Sequence, residues 1–172
     1  IDDIYGFNFV DYNETIIPHY HGTHVAGTIA ATNNNGIGVC GIAGGDGNGN
    51  GARLLSSQIF YSDPNDPEKD IGTEKIPEAI KYGADNGAVI SQNSWSYVFN
   101  EDEVPEMSQV ARIAIDYFIK YAGIDENGVQ TGPMKGGIII FAAANNGKEM
   151  IAYPAALPEV TAVAAMSYDF KR

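Results

Sequence analysis

The heptapeptide His21-Gly22-Thr23-His24-Val25-Ala26-Gly27 places an imidazole at the mouth of a run of small residues. Val25, Ala26, Ile29 and Ala30 recur at helical spacing, so a helix is expected from about His21 to Thr32. A histidine at such a helix start suits a general base. Two other polar segments, Asn93-Ser94-Trp95-Ser96 and Asn145-Asn146-Gly147, each follow an apolar run. In parallel sheets ligands bind at the carboxyl ends of the strands, so both segments are expected at one edge of a site.

Three metal or nucleotide signals compete with this chemistry. Asp46-Gly47-Asn48-Gly49-Asn50-Gly51 fits the first half of a calcium loop, but Ser57 stands where the bidentate glutamate belongs, and a Gly/Asn turn is the better reading. Gly36-Ile37-Gly38-Val39-Cys40-Gly41 satisfies Gly-x-Gly-x-x-Gly. A dinucleotide site needs a strand before these glycines and a helix after them, and here a helix precedes, so it is rejected. His19, His21 and His24 could form a zinc cluster, yet the Glu of a His-Glu-x-x-His helix is missing. His19 is expected in an exposed loop and His24 in a structural position.

The elements that must position these residues alternate between helical and extended patterns. Asn33 to Gly51 is expected as loop and turn, and Leu54 to Phe60 as a buried strand. Tyr61 to Asp70, with two prolines and four acidic residues, is expected as an exposed loop. Ile76, Ala79, Ile80 and Gly83 mark a second helix ending near Asn86-Gly87, and Ala88-Val89-Ile90 begins a strand. Val110, Ile113, Ala114, Tyr117, Phe118 and Tyr121 predict a third helix. Gly137 to Ala144 reads as a central parallel strand covered on both faces, and Val160 to Ala165 as another. Helices alternating with apolar strands predict an α/β fold with a mostly parallel sheet, in one domain without repeats.

Composition bounds the partners. The chain has 172 residues, ten basic against 22 acidic, for a net charge of −12. That balance argues against nucleic acid, whose binding rests on cationic contacts to phosphate, and against an anionic membrane surface. Apolar runs fall short of the roughly 18 residues a membrane span requires. A lone Cys40 leaves no internal disulfide, and its apolar surroundings predict a small buried hydrophobe. Opening on Ile1 rather than methionine, the chain is expected to be the middle of a longer protein.

The histidine heptapeptide resembles the histidine motif of the subtilisin-like serine proteases, or subtilases. The resemblance extends over nearly the whole chain. His21 to Ala43 is similar to the histidine helix and its following loop, and Ala88 to Ser96 to the strand that runs beside substrate. Gly137 to Gly147 is similar to the strand ending at the oxyanion asparagine. Tyr153-Pro154 and Val160 to Ala165 are similar to what comes next. It implies a subtilisin-like three-layer sandwich, incomplete here, and a serine endopeptidase in the parent protein. The resemblance implies His21 as catalytic base and Asn146 as the oxyanion amide. It implies Ser94, Trp95 and Ser96 as the segment pairing with a peptide substrate, with Ala143 and Asn145 beside the specificity pocket. Gly22 would leave space by the imidazole and Gly27 would allow close helix packing. A helix start disfavours imidazolium, so a partnering aspartate is needed.

Two departures matter. Asn145 and Ser96 stand where the family commonly has glycine. Moreover, no Asp-Thr-Gly or Asp-Ser-Gly precedes His21 and no Gly-Thr-Ser occurs at all. Two triad members are thus missing, and the 172 residues alone are expected to be inactive. The resemblance also implies a structural calcium held by the Asn34 side chain and the carbonyls of Ile37 and Val39, and a secreted or cell-surface location. Two other functions compete, a peptide-binding pseudoprotease and a calcium-binding structural module. Self-association is expected through an uncovered sheet face.

Overall fold

The computed structural model describes residues 2–97, 99, 105–145, 147 and 151–169. In chain order the elements are β1 (Asp2–Asn8), α1 (Tyr20–Ala30), β2 (Arg53–Gln58), β3 (Phe60–Asp63), β4 (Asp66–Gly72), α2 (Ile76–Asp85), β5 (Ile90–Asn93), α3 (Gln109–Tyr121), β6 (Ile138–Ala142) and β7 (Thr161–Val163). This is an α/β protein. The chain divides into two compact units, Ile1–Ala79 and Ile80–Arg172, with the division inside α2.

In the first unit, β1 and β2 pair in parallel from Asp2↔Arg53 to Asn8↔Gln58, so α1 lies on the crossover between them. β1 is not foreseen by the sequence pattern, because two aspartates and a glycine are poor strand formers and only pairing rescues them. Tyr61 to Asp70 departs from the expected loop. β3 and β4 form an antiparallel hairpin with Tyr61↔Ile71 and Ser62↔Asp70 opposite each other. Its two prolines fall at the turn, at Pro64, and at the second residue of β4, an edge position where the missing N–H is tolerated. The expected single strand from Leu54 to Phe60 accordingly breaks at Ile59.

Residues 33–51 form loop and turn, as expected. Backbone bonds fasten this loop to the end of α1, with the N–H groups of Ile42 and Ala43 donating to the carbonyls of Thr28 and Ile29 at 2.9 and 2.8 Å. These bonds satisfy carbonyls that a helix end leaves unpaired. Cys40 is exposed rather than buried, because the loop is held by its backbone and turns side chains outward.

In the second unit, β5, β6 and β7 form a parallel sheet with β6 in the centre. α3 begins at Ser108, whose hydroxyl accepts from the Ala111 N–H at 3.3 Å, a standard cap. It buries Ala111, Ala114, Ile115 and Phe118, while Val110, Ile113 and Tyr121 of the expected stripe are exposed. The buried face is therefore rotated by about one residue from the pattern read in sequence. β6 buries Ile139 and Phe141 but exposes Ile138. One face of this sheet is covered, not both as expected, and β7 is exposed along its length.

Candidate active site

His21 is placed by a chain of buried amides. Asn8, fully buried, accepts at Oδ1 from the N–H groups of Val10 and Asp11 and donates from Nδ2 to Asp11 and the Thr15 carbonyl. Gln58, at the end of β2, grips Ile17 from both ends of its amide. Oε1 accepts from the Ile17 N–H at 2.8 Å and Nε2 donates to the Ile17 carbonyl at 2.6 Å. Each buried amide thereby finds partners for atoms that would be costly to leave bare. The segment running into α1 is pinned two residues before His19.

His19 corrects the expectation of an exposed loop residue. It is buried and caps α1 from an extended conformation, φ −125° and ψ 137°. Its Nδ1 accepts from the His21 N–H at 3.3 Å, and its Nε2 lies 3.4 Å from Asp70 Oδ1 on β4 without completing a hydrogen bond. The Phe60 ring meets His19 edge-on at 5.2 Å and lies 6.1 Å from the His21 ring. His21 is half-buried in the first turn of α1, and His24 is exposed. A Cβ at Gly22 or Gly27 would meet no heavy atom within 4 Å. Space beside the imidazole is present, whereas no close packing occurs at Gly27.

In the second unit the parallel pairing sets Asn93 opposite Phe141, so Ser94–Ser96 and Ala143–Asn145 leave the sheet at the same edge. Asn93 is the buried hub of this edge. Its Nδ2 donates to the Ser91 hydroxyl, the Ser91 carbonyl and the Ile140 carbonyl at 2.9, 3.2 and 3.3 Å. Its Oδ1 accepts from Trp95 Nε1 at 3.2 Å. Trp95 is half-buried and stands edge-on to Phe141 at 5.1 Å and Tyr97 at 5.5 Å. Ser94 Oγ accepts from Gln92 at 2.7 Å. Ser96 and Ala143 are half-buried, and the Ala143 N–H donates to Val163 at 2.9 Å. Ala144 has a left-handed backbone at φ 66°, and Asn145 after it is exposed. Asn146, the expected oxyanion amide, lies outside the described residues. The sequence named Asn93 only as a polar strand end. Its place as the hub depends on the partner strand bringing the Ile140 carbonyl within reach.

Asn34, Ile37 and Val39 lie on an exposed loop, Asn34 in a left-handed conformation at φ 58°. They offer one side-chain and two main-chain oxygens, all neutral. Among the described residues no group of three or more His, Cys, Asp or Glu is arranged to hold a metal. These atoms alone fall short of the six to eight oxygens that calcium takes. In the Gly/Asn turn, Asp46 and Asn50 spend side-chain oxygens on the N–H groups of Asn48 and Asp46. No helix among the described residues is long and apolar enough to cross a membrane.

The sequence profile of the subtilase family matches residues 10–170. The thermophilic serine proteinase of Bacillus sp. (strain AK1) is 29% identical over 168 residues, which cover 96% of this chain and 34% of that protein. The major intracellular serine protease of Bacillus subtilis (strain 168) is 31% identical over 172 residues, covering 94% of this chain and 44% of its own length. Among solved structures, the prenylagaramide maturation protease PagA aligns with a TM-score of 0.58 at 26% identity, over 87% of this chain and 43% of that one. The chain spans less than half the length of each of these proteins.

Proposed function

Because the chain belongs to the subtilase family, we propose that the whole protein is a serine-type endopeptidase in which His21 is the general base. The observation that carries this reading is His21 itself. The complete histidine motif begins in the first turn of α1, its imidazole half-buried beside open space at Gly22. In the proposed reaction a serine hydroxyl attacks the scissile carbonyl and its proton passes to His21 Nε2. The C–N bond then breaks and the imidazolium gives that proton to the departing amine. Water repeats the sequence on the acyl-enzyme.

The substrate is a protein or peptide lying extended along Ser94–Ser96, with Ala143 and Asn145 near its side chains and Asn146 donating to the oxyanion. The pairing of β5 with β6 supports this placement, since it brings Ser94–Ser96 and Ala143–Asn145 out of the sheet at one end, where an extended chain can add its backbone. The 172 residues contain neither the aspartate nor the serine tripeptide, and we propose that they do not hydrolyse peptides alone. The family name does not fix a compartment, because a matching relative is named an intracellular protease. Secretion and a calcium at Asn34 remain parts of the proposal that rest on the resemblance.

A library of fluorogenic peptides offered to these 172 residues and to the full-length protein tests the reading. Hydrolysis is expected from the full-length protein and not from His21→Ala. A silent, folded full-length protein that still binds peptides would replace it with the pseudoprotease, which Asn145 and Ser96 favour.

A further inference from the structure

We propose that His19 is a proton-gated positioning residue for His21, controlled by Asp70. The inference rests on His21 being the base of a peptidase. Histidine is an unusual helix cap; the favoured residues are Ser, Thr, Asp and Asn, each offering an oxygen acceptor. His19 can cap only through a nitrogen lone pair, and Nδ1 supplies it to the His21 N–H. A neutral imidazole accepting at Nδ1 carries its proton on Nε2. That nitrogen faces Asp70 Oδ1 at 3.4 Å, so the carboxylate favours the one tautomer able to cap. Tyr20 at 4.4 Å and Phe60 at 5.2 Å flank the ring and hold its plane. The arrangement runs from a carboxylate on β4 through a buried imidazole to the backbone of the proposed base.

Protonation of His19 has two opposed consequences. Nδ1 gains a hydrogen that points at the His21 N–H, which abolishes the cap and places positive charge at the amino end of α1. Against this, the imidazolium gains attraction to Asp70, the charged group on β4 that faces it. His21 on α1 is the neighbouring titratable ring, with centroids 6.4 Å apart, and like charge on both rings is unfavourable. Neutral His19 therefore holds the first turn of α1, and protonated His19 releases it.

The test compares wild type, His19→Ala, His19→Asn and Asp70→Asn in the full-length protein. It reads kcat and KM for a peptide substrate across pH, and the histidine 15N spectrum. His19→Ala is expected to lower kcat about tenfold with little change in KM, since a displaced base costs rate rather than binding. His19→Asn retains an acceptor without a titrating ring. It should restore most of kcat while making the acid limb shallower than in wild type. Asp70→Asn removes the carboxylate that favours the capping tautomer and should lower kcat, by less than His19→Ala does. In the spectrum, the signal lost in His19→Asn should show bare Nδ1 and protonated Nε2 at neutral pH. His19→Ala with wild-type kcat and acid limb overturns the inference, and so does a proton on Nδ1. If wild type itself shows no hydrolysis, the peptidase reading fails instead, and the 15N spectrum still decides the cap.

Discussion

At the scale of single residues, buried amides organise the segments that lead to His21 and to Trp95. Asn93 satisfies Trp95, Ser91 and the neighbouring strand at once, so truncation leaves several buried polar groups bare. Asn93→Ala is expected to cost about 1–3 kcal/mol in denaturant unfolding. Trp95 is the single tryptophan of the 172 residues. Its emission should therefore move to the red in this variant, as the indole loses its partner and is wetted. Unchanged emission would show that Phe141 and Tyr97 hold the ring without Asn93. The same fluorophore offers a readout of peptides proposed to lie along Ser94–Ser96.

At the scale of elements, α3 and the sheet meet with little room. A Cβ at Gly137 would stand 2.5 Å from the Phe118 ring, and Phe118 is itself buried. Gly137→Ala must push a core ring or bend β6, and a loss of about 2 kcal/mol is expected by thermal or chemical unfolding. A near-neutral result would mean that α3 can shift at this end. Nearby, Asp85 of α2 accepts from Tyr117 of α3 at 2.8 Å and pairs with Lys81, whose ammonium lies over the Tyr117 ring at 4.6 Å. The hydrogen bond to Asp85 raises the Tyr117 hydroxyl above its ordinary value, and the bond to Asp85 likewise raises the Lys81 ammonium. Both shifts favour the protonated form in the folded protein, so their stabilisation is complete at neutral pH. It disappears as pH rises above about 10, through the folded values. Exposure limits the ion pair to about 0.5 kcal/mol. Tyr117→Phe should flatten the alkaline stability loss relative to wild type, and an identical profile would remove Tyr117 from its cause.

At the scale of the whole molecule, the sheet of the second unit leaves an apolar face open. Ile90, Ile138 and Val163 are 57%, 43% and 55% exposed, and Ile90 lies opposite Ile138 across the β5–β6 pair. We expect self-association of the 172 residues through this face, because contiguous apolar surface is costly in water. Light scattering should show apparent mass rising with concentration, and Ile138→Lys should suppress the rise. A monomer at every concentration would refute it. For calcium, the three neutral oxygens offered by Asn34, Ile37 and Val39 are fewer than the six to eight that the ion takes, so we expect weak binding by these 172 residues. Micromolar calcium is expected to leave the melting temperature of these residues unchanged, whereas a shift of several degrees would reveal ligands beyond those three.

The histidine motif, the helices near His21, Ile76 and Val110, and the strands at Ile90, Ile138 and Thr161 were legible from sequence. Their periodicity and small-residue pattern arise locally, and the α/β class follows from their alternation. The acidic, proline-containing stretch after Phe60 was not legible as a hairpin, because its strands exist only by pairing with each other. The pairing of β1 with β2 was hidden for the same reason. The buried face of α3 was misjudged by one position, since a helix with apolar residues on several sides is oriented by whatever strand it meets. Burial of His19 and exposure of Cys40 were equally out of reach, because each depends on which distant segment covers it. Residue type and spacing alone thus determined the chemistry available to this chain. Tertiary contacts, such as Gln58 with Ile17, Asn93 with the Ile140 carbonyl and His19 with Asp70, decided which polar groups are buried and which faces stay open to solvent.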